Sequence, residues 1–218
     1  MAVTYVDHMG SDLAVVNAAR ASFAQVSEEL SDKDVGLIGF LMRERHASPF
    51  EHASMTVFVD APIGVAREWM RHRTQSFNEF STRYAKVGEP TFYVPPPEAL
   101  RTQVGKPGAY HFEPLDEAQA EAVREKFEAA YRASLDAYHE LLEQGVAREL
   151  ARNVLPLGMH TRFYATANLR NWLNFLSLRT AENALKEIRD EAAQVEALIE
   201  QHFPHSYRFW VEYGRGSL

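Results

Sequence analysis

The sequence predicts an α+β fold, a small mainly antiparallel sheet packed with long helices. Three observations predict it. Apolar residues alternate at period two over 54–62, and they recur at helical spacing over 116–144 and 181–203. Strands and helices also follow one another irregularly, without the regular βα alternation that builds a parallel sheet. With 218 residues and 46% hydrophobic content, the chain can bury one real core and is expected to form a single domain, 1–218.

The elements follow in order. VTYV (3–6) is short and β-branched and reads as a strand. DLAVVNAARASF (12–23) has helical spacing of Leu13, Val16 and Ala19. Ser31 to Asp34 has the form of a capped start, followed by Val35, Ile38, Leu41 and Met42 on one helical face. That helix should end before HASPFEH (46–52), where Pro49 disfavours helix at Ser48. SMTVFVDAP (54–62) turns Met55, Val57, Val59 and Ala61 to one side of a strand. IGVAREWMRHR (63–73) reads as a helix with Val65, Trp69 and Met70 inward, running on into a loop; RYAKV (83–87) and TFYV (91–94) are short strand candidates.

Residues 98–115 contain Gly-Lys-Pro-Gly without clear periodicity, and are expected to be a mobile loop, either a lid or a plain surface connection. A long helix should run from Asp116 to Gln144 and stop at Gly145. A short helix over 146–156 is stopped by Pro156; a strand over 160–168, a helix over 169–179 and a last long helix over 181–203 complete the pattern, the last with Leu185, Ile188, Val195 and Leu198 inward.

Composition excludes several chemistries. There is no cysteine, so disulfides, thiolate nucleophiles and thiolate metal sites are ruled out within these residues. No apolar run approaches the roughly 20 residues of a membrane span. The first residues lack the basic and apolar regions of a secretion signal, so a cytoplasmic location is expected. A net charge of −7 argues against an extended basic face for nucleic acid; any anion site must be local.

One such site is suggested by 71-RHRTQSFNEFSTRY-84, which gathers Arg71, His72, Arg73, Ser76, Asn78, Glu79, Ser81 and Arg83. Arg67 lies one helical turn before Arg71. Guanidinium groups bind phosphate bidentately and stay charged at working pH, while hydroxyls and amides can complete a cradle. The alternative is a solvated cationic patch paired with nearby carboxylates. A second polar cluster, Arg148, Arg152, Arg162, Asn168, Arg170, Asn174 and Arg179, is set partly among Trp172, Leu173, Phe175, Leu176 and Leu178. Amides and guanidinia in an apolar helix need partners. A structural network or an acceptor-rich ligand such as a nucleotide or flavin can supply them.

Other signals are weak. His46, Glu51 and His52 lack HExxH spacing and a third ligand, so no metal is expected. There is no GxGxxG or GxxxxGK[ST] loop, and no GxSxG elbow around Ser81. Without an evident base, Ser81 reads as a hydrogen-bond donor and not as a nucleophile.

Arg71-His72-Arg73 followed by seven residues and Ser81 resembles the signature of the flavin-dependent thymidylate synthases. NAARASF (17–23), HASPFEH (46–52), APIGVAREWMRHR (61–73) and 151–179 extend the likeness over nearly the whole chain. The resemblance implies reductive methylation of dUMP to dTMP with 5,10-methylenetetrahydrofolate as carbon donor, FAD as cofactor and NADPH as reductant. It also implies a homotetramer with shared sites. A flavin route is compatible with a chain that has no cysteine to attack the pyrimidine.

Carried over residue by residue, the resemblance assigns His46, Ser48, Arg71, His72, Arg73, Glu79, Asn168, Leu169, Arg170 and Asn174 to FAD. It assigns Glu68, Trp69, Met70 and Arg71 to one wall of the dUMP site, and Glu79, Phe80, Ser81, Thr82 and Arg83 to its phosphate and sugar cradle. The resemblance also implies that Arg152 is a further dUMP contact and that Arg179 faces the uracil as the catalytic residue, where a guanidinium would stabilise negative charge building on the ring. The competing reading is a nucleic-acid-binding module, with arginines on phosphates and Phe77, Tyr84 and Tyr93 stacking on bases.

Overall fold

A computed structural model describes residues 1–83, 89–107 and 109–218. In chain order the elements are β1 (Ala2–Met9), α1 (Asp12–Arg20), α2 (Asp32–Arg43), β2 (Ser54–Pro62), α3 (Ile63–Trp69), β3 (Ser76–Glu79), β4 (Arg101–Lys106) and β5 (Ala109–Pro114). Then follow α4 (Glu117–Glu143), α5 (Arg148–Ala151), β6 (His160–Asn168), α6 (Leu169–Arg179), α7 (Lys186–His202) and α8 (Pro204–Glu212). The class is α+β, as the periodicity requires. Among the described residues no helix is long and apolar enough to cross a membrane.

Two compact units are present. The first comprises Met1–Ala61, Val65–Glu79 and Arg162–Leu218. Its sheet has the order β1-β2-β6-β3, with β1 antiparallel to β2 and β3 antiparallel to β6. Alternation in β2 and β6 sends Met55, Val57, Val59, Ala61, Phe163, Ala165 and Ala167 to the core face, where all are buried. The opposite face carries the polar pairs Thr56–Thr166 and Asp60–Arg162. Against the core face pack Trp69, Trp172, Leu173, Phe175, Leu176, Ile188, Val195 and Trp210. The start of α2 is fixed by a capping box, with Ser31 and Asp34 each satisfying the other's backbone N–H, worth about 1 kcal/mol.

The second unit comprises Pro62–Gly64 and Phe80–Thr161. Tyr138, Ala151 and Met159 are buried at its centre. The Tyr131 hydroxyl donates to the Tyr93 carbonyl at 3.0 Å and packs over Gly158, where an added Cβ would lie 2.2 Å from that oxygen. Only glycine fits there.

Several expectations need correction. The 98–115 segment is not a structureless loop: β4 and β5 form an antiparallel hairpin, with Leu115 N donating to Leu100 O at its base. Every residue of β5 is exposed, so no in-and-out alternation marks it in the sequence. Residues 76–79 form an edge strand where a loop was expected, because Ser76, Asn78 and Glu79 are exposed and only Phe77 turns partly inward. The helix expected over 63–73 ends at Trp69. TFYV is reduced to a single bridge between Phe92 and Met159, and RYAKV falls mainly outside the described residues, which also exclude Tyr84. Leu185 is 41% exposed because it caps α7 instead of lying on its inner face. Helix α8 was not anticipated.

Candidate active site

The RHR signature begins where α3 ends. His72 N donates to Trp69 O and Gln75 N to His72 O, so two tight turns carry residues 69–75 into β3. The turn leaves Arg71 and Arg73 exposed, and neither guanidinium forms an ion pair among the described residues. In a chain of net charge −7, two neighbouring arginines without carboxylate partners form a local cationic surface.

His72 turns the other way, toward Arg179 at the last turn of α6. Arg179 Nε donates to His72 Nε2 at 2.8 Å, Nη1 to Glu68 Oε2 at 2.9 Å and Nη2 to the Glu68 carbonyl at 3.0 Å. The whole fork is thus oriented by three acceptors, and the Arg179 side chain is 17% exposed. The His72 ring also meets the edge of Phe175 at 4.8 Å between centroids. Burial, and then the adjacent Arg179 charge, push the His72 pKa down to about 4, partly opposed by Glu68. The imidazole is therefore neutral near pH 7. With Nε2 accepting from Arg179, the proton resides on Nδ1, which is left as a donor.

A titration follows from this. The His72 ring resonances are expected to move with an apparent pKa near 4 by NMR, well below an ordinary histidine. In the unfolded chain His72 takes up its proton near 6.5, so its contribution to stability is lost as the pH falls from there toward 4. A His72 resonance titrating at 6.5 would remove the Arg179 contact from the solution structure.

The remaining residues assigned to FAD are distributed through the same unit. His46 is exposed, with its ring edge-on to Phe40 at 5.6 Å, and Ser48 is exposed at the start of a 3₁₀ turn, Ser48–His52. Arg170 pairs with Glu51 through Nη1, and its Nη2 lies 3.5 Å from the Leu218 carbonyl. Among the described residues its buried Nε has no acceptor. Asn174 Oδ1 accepts from Leu218 N at 2.9 Å. Asn168 caps α6 by accepting from Asn171 N at 2.9 Å, which fixes its carbonyl oxygen. Leu169 and Trp69 are fully buried, backbone included: Leu169 N donates to Ala53 O at 2.8 Å, and Trp69 O accepts from His72 N at 2.9 Å.

The second unit holds Phe80, Ser81, Thr82, Arg83 and Arg152. Phe80 is 51% exposed. Ser81 Oγ accepts from Arg83 N at 3.3 Å, which leaves the hydroxyl proton free to donate. Arg83 pairs with Glu149 at 3.2 Å, and Arg152 Nη1 lies 3.4 Å from Thr82 Oγ1. The two polar clusters of the sequence thus do meet within one chain, at Arg179 with His72 and Glu68 and at Arg152 with Thr82.

Sequence reasoning missed the carboxylates that orient these cations. Glu51 was weighed only as a metal ligand, and Glu149 not at all. Glu191 was also passed over, although it falls on the inward stripe of α7 with Ile188, Ala192, Val195 and Ile199. A lone charge on an apolar stripe was the available signal.

Comparison with known proteins follows the same residues. The chain matches the family described as "Thymidylate synthase complementing protein" over residues 4–205. It is 42% identical to a flavin-dependent thymidylate synthase of Tropheryma whipplei (strain TW08/27), covering 98% of this chain and 93% of that protein. It is 43% identical to one from Thermotoga neapolitana, covering 99% and 94%. The crystal structure of the UMP/dUMP methylase PolB from Streptomyces cacaoi bound with 5-Br dUMP superposes with a TM-score of 0.92 at 43% identity, covering 100% of this chain and 97% of that one.

Proposed function

Because the chain belongs to the flavin-dependent thymidylate synthase family, we propose that it converts dUMP to dTMP, taking the carbon from 5,10-methylenetetrahydrofolate, with FAD as its flavin and NADPH as reductant. The reading includes a cytoplasmic homotetramer with shared sites, each chain acting as one functional domain over 1–218. The observation that carries it is the Arg179 fork, fixed by the neutral His72 ring and by Glu68 beside the RHR turn.

The residues present fit a ligand that bears phosphates and a polar ring. Among the described residues, Arg71 and Arg73 lack carboxylate partners and the buried Arg170 Nε–H lacks an acceptor. Arg71, Arg73, Arg170 and Asn174 would hold the cofactor, with His46, Ser48, His72, Glu79, Asn168 and Leu169 completing its surroundings. When bound, the flavin supplies the hydride.

The protein's own part is binding and electrostatics. Ser81, Arg83 and Arg152 receive the phosphate and sugar of dUMP, with Glu79, Phe80 and Thr82 shaping that cradle. Glu68, Trp69, Met70 and Arg71 form a wall. Arg179 presents its charge to the N3–O2 edge of uracil and stabilises the anion that makes C5 nucleophilic, a preorganised effect worth several kcal/mol. No protein thiolate takes part, because the 218 residues contain no cysteine.

The purified protein is expected to show flavin absorbance after exposure to FAD, and to form dTMP from dUMP, methylenetetrahydrofolate and NADPH. A protein that takes up no flavin and makes no dTMP, yet binds a single-stranded oligonucleotide with steep salt dependence, would overturn the reading in favour of nucleic-acid binding.

A further inference from the structure

Glu191 is fully buried in the first unit, and nothing described above uses it. Its Oε2 accepts from the Trp69 indole N–H at 2.5 Å, while Oε1 has no partner among the described residues. A buried carboxylate with one partner is costly to keep in a core of tryptophan and phenylalanine. Its position relative to the signature is what gives it significance. Trp69 is the last residue of α3; Glu68 precedes it and holds Arg179 by side chain and carbonyl, and Trp69 O receives the N–H of His72. The Trp69 ring lies 4.5 Å from Phe175, and the His72 ring packs on the same Phe175 at 4.8 Å.

We propose that Glu191 is a positioning residue of this site, holding the end of α3 through the Trp69 indole so that Glu68 and His72 present Arg179 in one fixed attitude. The proposal rests on the function proposed above. Trp69 links three members of the constellation, and its indole N–H donates to Glu191. A slip of α3 at this point moves Glu68 and His72 together.

The same geometry makes the anchor sensitive to pH. Burial raises the Glu191 pKa to about 7, partly opposed by the Trp69 hydrogen bond. The charged groups around it are Asp190 on its own helix, Asp60 on β2 and the Met1 ammonium at the start of β1. The two aspartates disfavour its charge and the ammonium favours it, while α3 and α6 present the rings of Trp69, Trp172 and Phe175. Above pH 7 the indole donates to a carboxylate, a stronger bond than one to the neutral acid. Ionisation works against stability, however. The unfolded group loses its proton near 4.5 and the folded one near 7, so the contribution of the protonated form is complete below 4.5 and lost as the pH rises to 7. The anchor therefore tightens as the pH passes 7, at the upper end of the range over which the fold gives up stability.

The test uses full-length Glu191→Gln and Trp69→Phe in parallel. Glutamine keeps an acceptor of similar shape without the charge, and phenylalanine keeps a ring without the N–H. In the parent protein the near-ultraviolet circular dichroism of tryptophan should titrate near pH 7, and KM for dUMP should fall as the pH rises through that value. Glu191→Gln should abolish the tryptophan titration, and both variants should flatten the step in KM and raise KM about three- to tenfold at pH 8 with unchanged flavin content. Titration of the substrate's own phosphate is common to all three proteins and cancels in the comparison. Parent-like KM and pH profiles in both variants would overturn the proposal, as would a tryptophan titration that survives Glu191→Gln. If the parent binds no flavin and makes no dTMP, the proposed function falls instead, and the tryptophan titration still reports whether Glu191 grips Trp69.

Discussion

Replacing Arg179 by lysine is expected to lower kcat for dTMP formation at least about a hundredfold, while dUMP affinity changes by less than about tenfold. Charge is conserved in this substitution, so simple attraction to an anionic substrate survives. What is lost is the fork. Arg179 places three nitrogens on three separate acceptors, His72 Nε2, Glu68 Oε2 and the Glu68 carbonyl, and these define the plane of its guanidinium. A lysine ammonium is a compact, strongly hydrated point with no plane to define, on a flexible stem. It can satisfy Glu68 or His72, but it cannot hold a flat, bidentate face toward the edge of a pyrimidine. An interaction that strengthens only as charge builds on the ring should therefore disappear from kcat more than from binding. Steady-state kinetics with dUMP, together with dUMP affinity measured by titration of the flavin spectrum, separate the two effects. If turnover stays within about twofold of the parent, Arg179 stabilises no developing charge and the catalytic assignment is wrong.

How much of this was legible beforehand differed from element to element for physical reasons. Strand β2 was read with its burial correct, because Met55, Val57, Val59 and Ala61 face a core that accepts nothing polar. The start of α2 was read because its capping residues are local, Ser31 and Asp34. The β4–β5 hairpin left no comparable imprint, since strands wetted on both faces are not forced to alternate. At the site, the cations were legible as a cluster and the resemblance named their roles. Their orientation was not legible. Glu68 to Arg179 and Glu191 to Trp69 are contacts between residues more than a hundred positions apart, and the burial of the Trp69 indole follows from its packing against Phe163, Trp172 and Phe175 and its bond to Glu191.

Helix α8 shows the same limit, and Asp12→Ala turns it into a measurement. The residue before the helix, Phe203, offers no side-chain cap. The cap comes instead from Asp12 at the start of α1, whose carboxylate accepts from His205 N at 2.8 Å, Ser206 N at 3.0 Å and Ser206 Oγ at 2.5 Å. Asp12 and Ser206 are both buried, so water cannot replace the lost acceptor. Alanine leaves three donors without a partner at the positive end of a helix dipole, at a cost of about 3 kcal/mol or more. For a chain of this size that lowers Tm by roughly 6–12 °C. Asparagine keeps one carbonyl acceptor but not the charge, so Asp12→Asn should fall between the parent and alanine. Further along α8 the consequence reaches Trp210, whose indole donates to Ser177 Oγ in α6 and to Gly216 O. Loosening the N-terminus of α8 should therefore raise hydrogen exchange at 204–212 before it affects β2 or β6, which do not depend on that cap. Equal Tm values for Asp12→Ala and the parent would mean that α8 is held by the packing of Phe209 and Trp210 alone, and that its distant cap contributes nothing measurable.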